Sequence, residues 1–296
     1  MNDQTVASLI GPQVVALDED LAQGHLAMSL PTDQSQASAE DNRFAIARGV
    51  AVVRVAGILT PNMKAFERWF GWATYFGLAE VMGTLSSEAD VRAIVLEIDS
   101  PGGLVVGLEA AAQAVAAAAQ IKPVHAIVNP LAASAAYWIA SQASEISLTP
   151  GALVGSIGTA MQAAAPVGPG MSGVQLFDLA SSHARAKRPD PTTETGRAEL
   201  QRSLDESEAK FHAAVASGRG IDPIELKAIL SVTGDPVDGG ATFSGTDAIT
   251  RRLVDRQETA QEFMARIVGE YAPTPERQRR RAHAVTAQAI QVRAAL

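Results

Sequence analysis

Cysteine is absent from all 296 residues. That excludes disulfides, thiolate catalysis and zinc–cysteine sites, and it fits a reducing compartment. Charge is sparse, at 19% of residues, with 24 basic against 32 acidic side chains and a formal net charge of −8. An acidic balance argues against a general nucleic-acid binder, whose affinity comes from basic surface. Histidine is scarce too: His25, His125, His183, His212 and His283 are all there are. No window reaches the roughly 18 uninterrupted apolar residues of a membrane helix. The nearest, 110–121, is dominated by alanine and broken by Gln113 and Gln120. The opening MNDQTVASLIGPQVVALDED lacks the basic start and long apolar run of a secretory signal. These absences lead us to expect a soluble, cytoplasmic protein without membrane or specific nucleic-acid partners.

What is present is apolar. Hydrophobic residues make up 47% of the chain, enough for a sizeable core and too many for global disorder. Residues 1–45 read as an N-terminal arm and linker. In it, QVVALDEDLAQGHLAM suggests a short strand and helix packed on the body, and Leu30–Asn42 is polar. The body opens with GVAVVRVAGIL (49–59), a buried strand. VRAIVLEID (91–99), VHAIV (124–128) and EISLT (145–149) are further strands. Alanine-rich helices are expected over 108–122 and 133–143. This alternation implies right-handed β-α-β units and a mostly parallel sheet.

A helix is also expected from Phe66 to Leu85. Trp69, Phe70, Trp72, Tyr75 and Phe76 fall within eight residues there, either as a core face or as a hydrophobic wall for a partner. Beyond residue 193 come a long amphipathic helix to Gly220, a shorter helix in IDPIELKAIL, and a turn, strand and helix over 239–255. Residues 272–296 are expected to be a basic helical tail. Its Arg277, Arg279, Arg280 and Arg281 read as a solvated face.

Two stretches could carry chemistry. DSPGG (99–103) ends a strand, and its glycines allow a sharp turn at the carboxyl edge of the sheet, where ligands bind in open α/β folds. Bare N–H groups at such a turn can hold a developing oxyanion. LAASAAYWIAS (131–141) sets Ser134 among alanines, after a strand and near a helix start. A serine nucleophile needs a base. His125 lies within a strand, as a packed core residue would. A triad through His183 has no supporting spacing. Three lysines follow Ser134: Lys187, Lys210 and Lys227. Lys187 is chosen because it comes just after the apolar VQLFDLA, where a strand would return it toward the sheet.

DSPGG, ASAAYWIAS, GSIGT, FHAAVASGRG and FSGTDAITRRLVD, in this order, resemble the signal peptide peptidase A (protease IV) superfamily. The similarity runs from about Gly49 to Asp255. It is to the soluble branch encoded with capsid genes of tailed phages and prophages. The resemblance implies an α/β, ClpP/crotonase-like fold of repeated β-β-α units, with a parallel sheet and C-terminal helices, over residues 46–271. It implies a serine endopeptidase with a Ser–Lys dyad and no cofactor or metal. Ser134 matches the nucleophile and Lys187 the general base. Ser156 matches the serine that orients the lysine, and Gly102, Gly103 and Ala135 match the oxyanion hole.

The family's Gly-Gly after the serine is Ala135-Ala136 here. An ungapped comparison with the cellular enzymes puts Ala184 at the lysine position; the phage-type Lys-Arg-Pro-Asp pattern puts Lys187 there, and Lys187 is the assignment. The implied partners are a protein or peptide substrate, such as a capsid scaffold or portal protein, and further copies of the chain. The implied setting is the cytoplasm or an assembling phage capsid. Two alternatives remain: an inactive assembly protein of the same fold, and a crotonase-type acyl-CoA enzyme that would need neither Ser134 nor Lys187.

Overall fold

The computed structural model describes residues 5–11, 13–31, 43–166, 168, 177, 179–235 and 237–273. Residues 32–42 of the linker, most of VQLFDLA and the tail from 274, including its four arginines, lie outside the described residues. In chain order the arm holds α1 (Val6–Ile10), β1 (Val15–Leu17) and α2 (Glu19–Leu26). The body follows with β2 (Phe44–Ala47), β3 (Val50–Ala56), α3 (Lys64–Phe70), α4 (Tyr75–Ser87), β4 (Ala93–Ser100), β5 (Gly102–Leu104) and α5 (Leu108–Ile121). Next come β6 (Val124–Ala133), α6 (Ala135–Ala140), β7 (Glu145–Leu148) and β8 (Leu153–Gly155). The chain continues with α7 (Glu194–Arg219), α8 (Pro223–Leu230), β9 (Thr242–Ser244), α9 (Gly245–Thr250), β10 (Arg256–Gln257) and α10 (Ala260–Tyr271).

The main path of the sheet runs β10-β7-β6-β4-β3-β2, parallel except for the antiparallel edge β2; off this path β8 pairs parallel with β6 and antiparallel with β9. The central strands are nearly continuous in Val, Ile, Leu and Ala because both faces are covered. One face of the pleat, with Val50, Val95 and Ile127, meets Phe263 and Ile267 of α10. The other face, with Ile94, Leu96 and Ala126, belongs to the main core with Leu78 and Met82 of α4 and Ala111 and Val115 of α5. The alanines of α5 let it lie close against its neighbours.

The expected β-α-β alternation and mostly parallel sheet are present. Three expectations are corrected. The aromatic stretch is two helices, because Gly71 closes α3 in the left-handed region (φ 67°) and Thr74 caps α4 by accepting from the Gly77 N–H at 3.2 Å. VHAIV is only the first half of β6. Val124–Val128 pair with β4 and β7, and Leu131–Ala133 then pair with β8. The PGG of DSPGG is not merely a turn: Gly102 and Gly103 begin β5, which pairs antiparallel with β1 of the arm.

The arm is seated on a second, smaller core. Val6, Ile10, Val15, Leu17 and Ala22 pack there with Ile58, Phe66, Trp72 and Leu104, so the aromatic stretch acts largely as an internal wall. Of its rings, Tyr75 is buried and donates to the Leu104 carbonyl at 2.6 Å, and Phe76 is exposed. Among the described residues no helix is long and apolar enough to cross a membrane.

The long helix α7 is docked through Phe211, Val215 and Ala216, and an aromatic stack anchors it to α6. Trp138 of α6 lies over Phe211 with ring centroids 4.7 Å apart and planes 17° off parallel. Phe211 is fully buried. Phe211→Ala is therefore expected to destabilise the fold by about 3–5 kcal/mol, read as a lower urea midpoint at unchanged slope.

Candidate active site

Ser134 is the single residue between β6 and α6. Its backbone sits at φ 53° and ψ −120°, which an L-residue adopts only under constraint. The constraint is visible. Its N–H donates to the Gly155 carbonyl at 2.7 Å, and its carbonyl accepts from the Trp138 N–H at 3.0 Å. Ala132, Ala133, Ala135 and Ala136 around it have no exposed surface, so larger side chains would not fit. The serine itself is 1% exposed. No hydrogen bond to its hydroxyl is found among the described residues.

The hydroxyl lies on a cavity of about 510 Å³, whose lining includes Leu17, Ser156, Gly158, His212 and Lys227. Ser156 follows β8, also at positive φ (52°), with its N–H on the Ala241 carbonyl at 2.8 Å. Ser134 and Ser156 are thus brought together by the pairing of β6 with β8.

Gly102 and Gly103 form the neighbouring wall. Gly102 has φ 110°, and a Cβ there would stand 2.3 Å from the Ala16 carbonyl oxygen and 3.0 Å from Ser134 Cβ. At Gly103 a Cβ would stand 2.0 Å from the Leu59 carbonyl oxygen. Side chains are excluded at both positions. The Gly102 N–H already donates to Ser100 Oγ at 3.1 Å, and Ser100 Oγ donates to the Gly57 carbonyl at 2.6 Å. Ala135 is the first residue of α6, so its N–H is one of the first-turn donors with no acceptor inside the helix.

Lys187 lies elsewhere. It ends a short 3-10 turn, Arg185–Lys187, is exposed, and is not among the residues lining the Ser134 cavity. His183 is exposed as well. His125 is a buried sheet residue, with Nδ1 2.9 Å from Glu145 Oε2 and Nε2 3.2 Å from the Tyr271 hydroxyl.

Sequence reasoning passed over His212 and Lys227, which both face the cavity. His212 Nε2 is buried and has no hydrogen-bond partner among the described residues. Burial, helped by the Lys227 charge, holds the imidazole below its ordinary range; Glu208 and a bond with the Ile157 backbone oppose the shift. Burial and the Lys227 charge both favour the neutral imidazole over the charged one. One signal could have found it. Gln201, Asp205, Glu208 and His212 are spaced four, three and four residues apart, and all line the cavity from one face of α7.

The arrangement suits covalent chemistry at a hydroxyl: a rigid serine, a wall without side chains, and an adjoining cavity. It places the chain among α/β proteins that present a serine on a strand-to-helix turn. More narrowly, the chain belongs to peptidase family S49, whose profile matches residues 116–270, over half of its length. It is 28% identical over 249 residues to capsid assembly protease C of Escherichia phage lambda, covering 81% of this chain and 54% of that protein. It is 32% identical over 173 residues to protease 4 of Salmonella typhi, covering 56% of this chain and 26% of that one. The chain thus spans about half the length, or less, of these curated relatives. Among solved structures, an enoyl-CoA hydratase/isomerase family member superimposes with a TM-score of 0.39 at 19% identity, over 76% of this chain and 73% of its own.

The Ser100 hydroxyl ties the glycine wall to β3's end. Ser100→Ala leaves the Gly57 carbonyl and the Gly102 N–H without their partner in a buried place. We expect a loss of about 1–3 kcal/mol in urea unfolding, together with faster hydrogen exchange at the Gly102 amide.

Proposed function

We propose that the chain is a serine endopeptidase in which Ser134 is the nucleophile, Lys187 the general base and Ser156 the residue that orients it. The body over 46–271 would carry the chemistry, with 1–45 as an arm and 272–296 as a tail. The carrying observation is the Ser134 turn. A strained, buried serine walled by alanines opens onto a cavity beside Gly102 and Gly103. Its hydroxyl would attack the peptide carbonyl. The Gly103 and Ala135 N–H groups would hold the oxyanion, and Gly102, lacking a side chain, would give the carbonyl room. The base would pass the proton to the leaving amine, and water would then release the acyl group.

An amine that takes a proton has to be uncharged, which a lysine becomes when shut away from water. Lys187 is exposed and outside the cavity in this structure, so its assignment requires the turn to move onto the Ser134 cavity. The substrate we infer is a capsid scaffold or portal protein, on the strength of the likeness to a capsid assembly protease. Assembly of several copies around such a substrate belongs to the same reading. A second assignment of the base has its own support: His212 presents an unpartnered Nε2 to the Ser134 cavity.

The test is labelling with a fluorophosphonate probe, with the site mapped by mass spectrometry. Label on Ser134, lost in Ser134→Ala, is expected. Lys187→Ala should slow labelling more than ~100-fold, while His212→Ala changes it little. The reverse pattern moves the base to His212. No label on Ser134, either in the intact chain or once the arm is displaced, would leave an inactive assembly protein.

A further inference from the structure

The arm does not merely rest on the body. We infer that residues 14–18 occupy the peptide-binding cleft of the enzyme in the manner of an extended substrate, so that a true substrate must displace the chain's own arm. The inference rests on the reading of Ser134 as nucleophile.

Four observations carry it. First, the segment is hydrogen-bonded along both edges. On one side the Val105 N–H donates to the Val14 carbonyl at 3.2 Å and the Asp18 N–H to the Pro101 carbonyl at 2.9 Å. Antiparallel bonds alternate, so the register places Ala16 and Gly103 in the bonded pair between them. On the other side Val15 exchanges bonds with Ala160, its N–H donating at 3.0 Å and its carbonyl accepting at 2.9 Å. The two walls are DSPGG and the stretch after GSIG, the two motifs that flank Ser134. With the arm out, they would be open strand edges about one strand apart, a slot for an added strand.

Second, the segment ends at the serine. Leu17 lines the Ser134 cavity, and the Ala16 carbonyl crowds the same face of Gly102 that Ser134 Cβ approaches. The Gly103 N–H, assigned above to the oxyanion hole, is taken up by this pairing. Third, the arm's anchorage is separable. Its apolar side chains enter the small core with Trp72 and Phe66, apart from the main core, except for Ala16. Fourth, the segment is shaped to stay rather than to be cut. Asp18 caps α2, its side chain accepting from the Leu21 N–H at 3.2 Å, so the chain leaves the extended form directly after Leu17. A substrate would continue as a strand past the serine.

The arm also describes the ligand. The cleft takes an extended peptide with a small residue, as at Ala16, between aliphatic ones, as at Val15 and Leu17. All three are buried.

The test uses the full chain with Val15→Asp and Leu17→Asp together, which places charges in the small core, and a fluorescein-labelled peptide of residues 13–20, QVVALDED. Two readouts are taken. Fluorophosphonate labelling of Ser134 should be at least ~10-fold faster in the double variant, because the cleft is open more of the time. In a Ser134→Ala background, fluorescence anisotropy should show the peptide binding to the double variant and not to the chain with its own arm in place. Equal labelling rates and no peptide binding to the variant overturn the inference. Peptide binding confined to the variant, with Ser134 unlabelled in every chain, keeps the arm in the cleft and removes the nucleophile reading instead. Should circular dichroism show the double variant unfolded, Leu17→Ala is measured the same way. There at least ~3-fold faster labelling is expected, and unchanged labelling with no peptide binding overturns the inference.

Discussion

One hydrogen bond organises the centre of this molecule: the Ser134 N–H to the Gly155 carbonyl. It joins the end of β6 to the end of β8 at the point where the chain must pass from strand to helix within a single residue. The positive φ of Ser134 is the local consequence, and it turns the side chain out of the sheet toward the cavity. Such a conformation costs of order 1–3 kcal/mol and survives only where the surroundings over-determine it. Here the fixed strand pair, the first turn of α6 and four buried alanines do so. The same pairing sets Ser156 beside it, because Ser156 immediately follows Gly155.

The two cores divide the work. The main core, built on β3, β4, β6 and the helices covering them, holds the serine and the glycine wall rigid. The small core under Trp72 and Phe66 holds the arm against that wall. Strands at an open edge invite pairing with any extended chain. Here residues 14–18 lie between β5 and Ala160, and their register engages the Gly103 N–H.

The residues around the site explain one another. Gly102 and Gly103 lack side chains because the Ala16 and Leu59 carbonyls stand where Cβ atoms would go. Alanines flank Ser134 because α6 and β6 are buried on all sides there. The polar stripe of α7 that lines the cavity includes His212, a half-buried side chain whose Nε2 is shut away from water.

Much of this was legible in the sequence. Runs such as VAVVRVA and AIVLEID could only be buried parallel strands, since an apolar residue at nearly every position leaves no face for water. Ser134 among alanines and the paired glycines Gly102 and Gly103 after a strand stood out as candidates by residue type and order, whereas Ser156 came only from the family resemblance. The break at Gly71, the partner switch within β6 and the presence of His212 on the cavity were not legible. Each is set by which strand or helix arrives alongside, not by local preference. Lys187 marks the same boundary from the other side: motif spacing named it, and the fold holds it at the surface of a turn outside the cavity. The sequence by itself determined the buried strands and marked Ser134 as a candidate, because hydrophobic burial and side-chain size act residue by residue. Only the tertiary structure decided what surrounds that serine and that the arm fills the cleft. Those contacts join stretches as far apart as residues 16, 103, 160 and 212, and only the folded sheet brings them together.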